Sequence, residues 1–304
     1  MKKRGIFITT IALLLITLFV VSFTFYSDIQ QRKSIGKRVE SMNNFLFSTE
    51  KDLERQVYIA GYRSIFILED QIATSGTYIS NFNSSMQELF FSGSLDNETQ
   101  TIMQGAIYSD IQQLMTQRAD QIGLILTISD PSYEVMQDDP WNVKLILKLK
   151  IDLKDQNNLA RWYKNATIVS LLPITNFDDP IYLVNTNGVM TNKITRTPYS
   201  IFVNNGDASN LSTHIINMYY TQSTLAPSFL NRLQGSSTSS PHGIESFVNL
   251  QVLSSKGIAA QDKVNVDHIY FSSQYPSPTC TVPGTPSWAK IEPAHLSAVY
   301  NTTC

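Results

Sequence analysis

The run from Ile6 to Tyr26 carries no charge, no Pro and no Gly, and most of its positions are Ile, Leu, Phe or Val. At 1.5 Å rise per residue, ~20 apolar residues span the ~30 Å hydrocarbon layer of a bilayer. Lys2, Lys3 and Arg4 stand directly before the run. Four Thr and one Ser dilute it, but their hydroxyls can bond back to the preceding turn. The stretch is longer than the ~7–15 apolar residues of a cleaved secretory signal, and its exit, Val21-Ser22-Phe23-Thr24-Phe25, lacks a small-x-small cleavage site. A single uncleaved membrane anchor, contacting the lipid bilayer, is the expectation. Arg32, Lys33, Lys37 and Arg38 follow closely and nearly balance the positive-inside count.

Beyond Asp28 the apolar positions are Ile29, Ile35, Val39, Met42, Leu46, Leu53, Val57, Ile65, Leu68 and Ile72. Steps of mostly three, four and seven trace one stripe of a helix. No Pro interrupts it, and Gly76 is placed to cap its end. A continuous helix from Ile6 to Ala73 would be ~100 Å long. The stripe is too irregular for a strict heptad coiled coil, so the outer half is expected to pack on the body, with homo-oligomerisation through the stalk the alternative.

Ser80–Phe91 and Asn97–Ile122 read as helices, the second capped by Asp96 or Asn97. The period then changes to two. Val143, Leu145, Leu147, Leu149, Ile151 and Leu153 alternate with Lys144, Lys148, Lys150, Asp152 and Lys154, which predicts a strand with one buried face. Leu124–Ile128 and Ala166–Leu172 are its expected neighbours. Short runs at Ile181–Val184, Ile201–Val203 and His268–Phe271 read as strands, Pro227–Leu233 as a helix ending at Gly235, and Ile244–Leu253 as either. The predicted class is α+β, an antiparallel sheet packed on helices followed by a loop-rich C-terminal region. The organisation expected is an anchor over 1–27, a helical stalk over 28–75, an α+β domain over 76–199, and a Ser/Thr/Pro-rich, β-rich region over 200–304.

Charged residues are only 16% and the formal net charge is −2, so no basic surface for nucleic acid is expected. Ser, Thr, Asn and Tyr are abundant, a balance common on outward-facing surfaces. The expected topology is therefore a single pass in the cell membrane, N-terminus inside and body extracytoplasmic. The two cysteines, Cys280 and Cys304, would close a loop of about 25 residues if bridged in an oxidising compartment, worth ~3 kcal/mol. N-x-S/T sites at Asn83, Asn97, Asn165, Asn210 and Asn301 permit glycosylation without indicating it.

Chemistry is sparse. His214, His242, His268 and His295 are not spaced three or four apart from one another or from Cys, so no metal site and no cofactor is expected. Ser240, His242 and Glu245 lie within six residues, yet triad members usually converge from distant segments, and a turn that positions its own backbone is the plainer reading. Asp138-Asp139 and Asp178-Asp179 each precede Pro, as turn starters do, although paired carboxylates can also serve calcium. No catalytic residue is assigned and a non-enzymatic protein is expected.

Lys2-Lys3-Arg4-Gly5 directly before an apolar helix resembles the leader of type IV pilins and archaeal pilin-like proteins. The resemblance implies cleavage by a membrane peptidase between Gly5 and Ile6, with the apolar helix kept as the spine of the mature chain. Thr10 stands where major pilins carry Glu, which is closer to minor pilins. The body looks similar to anchored surface proteins of archaea. What this implies is a surface-assembly or adhesion component with other pilin-like or surface proteins as partners. The alternative is a membrane-tethered ligand-binding domain or enzyme whose site would gather His242, Glu245 and His268.

Overall fold

The computed structural model describes residues 10–304, and the Gly5–Ile6 junction lies outside the described residues. The fold is α+β, with antiparallel sheets and helices following one long N-terminal helix. That helix, α1, is assigned over Lys2–Ser75. Among the described residues it is the one helix long and apolar enough to cross a membrane, with a best-window mean hydropathy of 2.1 and none of that window buried. Leu13, Leu14, Leu15, Ile16, Leu18 and Phe19 all point outward. The hydroxyls of Thr17 and Thr24 donate to the carbonyls of Leu14 (2.9 Å) and Val21 (2.8 Å), so these two polar groups are satisfied by their own helix.

The outer part of α1 behaves differently. Met42, Leu53, Val57, Ala60, Leu68 and Ile72 are buried, with the helical spacing of one packed face. Gly61 is part of that face: a Cβ there would meet Leu145 Cδ1 at 2.2 Å. α1 stops at Gly76, whose φ of +69° suits a residue without a Cβ and whose N–H donates to Ile72 O at 2.9 Å.

The chain divides into two compact units, one made of Met1–Asp52, Gln113–Asp130 and Leu149–Ala166, the other of Leu53–Gln112, Pro131–Lys148 and Thr167–Cys304. In the first, Arg38 donates to Asp155 Oδ1 (2.5 Å) and to Gly123 O (2.6 Å), which holds the Asp155 carboxyl below its usual pKa. Asp52 pairs with Arg118, and Glu50 with Lys164 at 2.6 Å.

After α1 come α2 (Phe82–Ser92), the short strands β1 (Ser94–Leu95) and β2 (Glu98–Thr99), and α3 (Tyr108–Gln121). The helix predicted from Asn97 therefore starts eleven residues late. Asp96 and Asn97 adopt φ of 52° and 66° and form the two-residue turn between β1 and β2. Asp and Asn tolerate that left-handed backbone, so residues read as a cap make a hairpin instead. The central sheet has the order β3-β4-β5, with β3 Leu124–Asp139, β4 Asn142–Asp155 and β5 Arg161–Pro173. β4 buries Val143, Leu145, Leu147, Leu149, Ile151 and Leu153, as the alternation predicts. β3 runs past Pro131 because Asp130 kinks the strand at φ 51° rather than ending it.

The remaining elements are α4 (Pro180–Asn185), α5 (Ser209–Ile216), β6 (Thr221–Gln222), α6 (Phe229–Leu233), β7 (Ile244–Glu245), α7 (Leu250–Ser255), α8 (Asp267–Tyr270) and α9 (Pro293–Ala298). Two predicted strands are helices. Ile181–Val184 lies in α4 because Asp179 caps the Ile181 N–H and Pro180 occupies the first helical turn. His268–Phe271 begins in α8, with Asp267 in its first turn. Ile201–Val203 joins no strand. The region after residue 200 is thus built mainly of short helices, β6–β7 being its paired strands among the described residues. It has its own core of Phe202, Leu211, Phe247, Val266, Leu296 and Tyr300. Cys280 and Cys304 are disulfide-bonded across a sequence separation of 24.

Two outcomes follow from this packing. Glu69 is buried on α1, and burial, reinforced by the charge of Asp178, pushes its carboxyl up to about 9. Between its unfolded value near 4.5 and about 9, the folded state keeps a proton that the unfolded chain has lost, so stability falls as pH rises through this window. Glu69→Gln is expected to stabilise the protein by at least ~1 kcal/mol at pH 8 and to change little at pH 4, read from denaturant unfolding at both values. Replacing Cys280 and Cys304 together by Ala is expected to cost ~3 kcal/mol in the same assay.

Candidate functional site

Four elements of the second unit converge on a buried polar cluster. β7 is held against β6 by the pairs Thr221–Glu245 and Gln222–Ile244. Gly243 precedes it, and a Cβ there would meet Ala226 O at 2.0 Å and Ser223 O at 2.4 Å, so only glycine lets the strand approach. This close approach sets Glu245 in the interior. α6 starts at Ser228, whose hydroxyl caps the Asn231 N–H, and it carries Arg232 inward. α8 follows directly on Val266, which bridges to Phe247, and supplies Asp267 and His268. α9 opens with Pro293 in its first turn behind Glu292 and supplies His295.

Arg232 is fully buried and donates to Asp179 Oδ2 (2.5 Å), Asp267 Oδ2 (2.9 Å) and the Ile244 carbonyl. Burial alone would lower its pKa, but the charges of Asp179 and Asp267 outweigh that and raise it. Tyr220 donates to Asp179 Oδ2 (2.7 Å), and the Ser246 hydroxyl and N–H both reach Asp267 Oδ2 (2.9 and 3.1 Å). Burial nevertheless pushes Asp179 up, against the pull of Arg232. A guanidinium shared by two carboxylates with the remaining lone pairs hydrogen-bonded is the arrangement a buried charge requires.

Beside this network lie Glu245, His268 and His295, whose side chains are 0%, 8% and 3% exposed. Glu245 Oε2 stands 3.3 Å from His295 Nε2 and 4.0 Å from His268 Nε2. One potential ligand atom from each residue falls within 4.8 Å of the others. Glu245 Oε1 accepts from Tyr300 (2.9 Å), and His295 Nδ1 lies 2.5 Å from Glu292 Oε1. Burial pushes His268 down to about 4, so its imidazole is neutral at physiological pH. For His295 burial acts the same way, but the neighbouring Glu245 and Glu292 prevail and raise it.

No family model, no curated protein and no solved structure matches the chain. The cluster is read from its own chemistry. Local spacing did not show this grouping: the fold brings Glu245 and His268 together, joined by His295 rather than by His242. His242 instead closes a turn in which its N–H donates to Ser240 Oγ (3.2 Å). His214 sits among Phe202, Phe247 and Tyr300, and burial pushes it down to about 4.

Both Asp-Asp-Pro turns use carboxylates within the protein. Asp138 pairs with Lys144 (2.7 Å), Asp139 accepts from Trp141 N and Asn142 Nδ2 (2.8 Å each), and Asp179 serves Arg232. Sequence reasoning missed Arg232 and His295. The second left a signal: Glu292 and His295, three apart around a Pro at a helix start, share one face. For the buried network, Arg232→Met should cost ~3–5 kcal/mol in unfolding measurements, because Asp179 and Asp267 lose their shared counter-charge. Adding Asp179→Asn and Asp267→Asn should restore part of the loss.

Proposed function

We propose that this is a single-pass membrane-anchored protein whose body works on the extracytoplasmic side as a non-enzymatic surface-assembly or adhesion component of pilin-like type. The observation that carries the reading is the inner part of α1. From Ile11 to Tyr26 its large apolar side chains face outward, with none of the apolar window buried in the protein itself. So continuous an exposed apolar surface is costly in water and favourable in lipid. The same helix then buries Met42 to Ile72, so the anchor and the core of the body share one element.

The side of the membrane is argued from the Cys280–Cys304 bond and the low charge content. Structural disulfides persist in oxidising compartments and are rare in the cytosol. The assembly role is argued from the Lys-Lys-Arg-Gly leader and from a helix that is both anchor and spine, which resembles the pilin plan.

The test is the intact mass of the protein extracted from its native membrane. A chain beginning at Ile6, recovered only with detergent, is the expected result. A chain that keeps Met1 would leave an anchor without pilin-type processing, and recovery without detergent would overturn the anchor as well.

A further inference from the structure

We propose that Glu245, His268 and His295 form a binding site for one zinc-class divalent transition-metal ion. The set is two imidazoles and one carboxylate, a composition that suits zinc and its neighbours and not calcium or magnesium, which take mainly oxygen ligands. The three residues come from β7, α8 and α9, yet their donor atoms meet in one place. Glu245 Oε2, His268 Nε2 and His295 Nε2 are all buried and make no well-formed hydrogen bond among the described residues; Glu245 Oε2 and His295 Nε2 meet only at ion-pair distance, 3.3 Å. Buried polar atoms whose hydrogen bonding is incomplete are expensive, and three of them facing one another are the pattern of a ligand set.

The spacing agrees. Zinc bonds of ~2.0–2.1 Å in a tetrahedron place donor atoms ~3.3 Å apart. The Glu245–His295 pair already has 3.3 Å, the Glu245–His268 pair 4.0 Å, and the widest separation is within 4.8 Å. Closing it takes side-chain movement on the order of 1 Å.

The surroundings do what outer partners of metal ligands do. Glu292 Oε1 lies 2.5 Å from His295 Nδ1, and a ring that donates its Nδ1 proton there has its Nε2 lone pair left for the ion. The Tyr300 hydroxyl holds Glu245 Oε1 at 2.9 Å and leaves Oε2 to face the histidines. Charge is compatible with this: Asp179, Asp267 and Glu245 are fully buried carboxylates, and Arg232 serves the first two, which leaves Glu245 to the imidazoles beside it. A bare Glu245–His295 ion pair would account for two of the three donors and leave the His268 Nε2 unexplained. With three protein ligands the ion keeps a fourth position, and His268 also lines a cavity of about 220 Å³ with Tyr78, Asn185 and Ser236.

The experiment uses the full-length chain in detergent, stripped with a chelator and titrated with cobalt(II) and then zinc(II). One equivalent of cobalt per chain is expected, with the intense visible absorption of a four-coordinate site, displaced by one equivalent of zinc. His268→Gln and His295→Gln should each abolish the spectrum. Glu292→Gln should weaken binding ~10–100-fold while the stoichiometry stays at one. His242→Gln should bind as the unsubstituted protein does. Failure of the unsubstituted chain to bind a stoichiometric ion overturns the proposal whatever the variants do, and so does undiminished binding by a folded H268Q/H295Q double variant.

Discussion

As a proposed membrane anchor that is also part of the body, one helix has to satisfy two solvents, and the rest of the chain is arranged around that constraint. Along the interior of α1 the backbone N–H and C=O groups are paired within the element, which is what a segment in hydrocarbon requires. Its inner part is apolar all round, and even Thr17 and Thr24 return their hydroxyls to the preceding turn. Its outer part carries one apolar face, from Met42 to Ile72, that is closed by protein. The change comes from the distribution of Lys, Arg, Glu and Gln after Asp28, without a Pro to break the helix between the two environments.

The far end of the chain meets a different problem. Its helices are four to eight residues long, too short to be stable by propensity alone, and its strands are two residues long. What holds it is a combination of an aromatic core around Phe202, Phe247 and Tyr300, a disulfide, and the Arg232 network. Arg232 ties α6 to α8 and to the residue that caps α4, so its loss is felt in three elements. The Glu245–His268–His295 cluster joins β7, α8 and α9 in the same way, and a bound ion would make it a fourth fastening.

Legibility in the sequence followed the range of the interactions. β4 was readable because alternation is a local pattern, and the end of α1 because Gly76 carries its own backbone preference. The start of α3 was not, since Asp96 and Asn97 suit a cap and a hairpin turn equally, and pairing between Leu95 and Glu98 decides between them. Ile181–Val184 and His268–Phe271 are apolar runs too short for period to distinguish strand from helix. Asp179-Pro180 was the overlooked signal at the first. The pairing of Cys280 with Cys304 was legible because they are the only two cysteines. The histidine cluster was legible only in part: Glu245 and His268 were named together, but with His242 in place of His295, because the members are separated by more than twenty residues each and only the fold unites them.

The central claim is that α1 passes from lipid into the body of the protein. A spin-label scan along residues 11–72 in bilayer nanodiscs measures it directly. Labels from Ile11 to Tyr26 should be uniformly accessible to oxygen and shielded from a water-soluble relaxant, whereas labels from Met42 to Ile72 should alternate with the helical period. A helical period of water accessibility within 11–26 would contradict the account, for it would place that stretch on a protein surface instead of in the membrane.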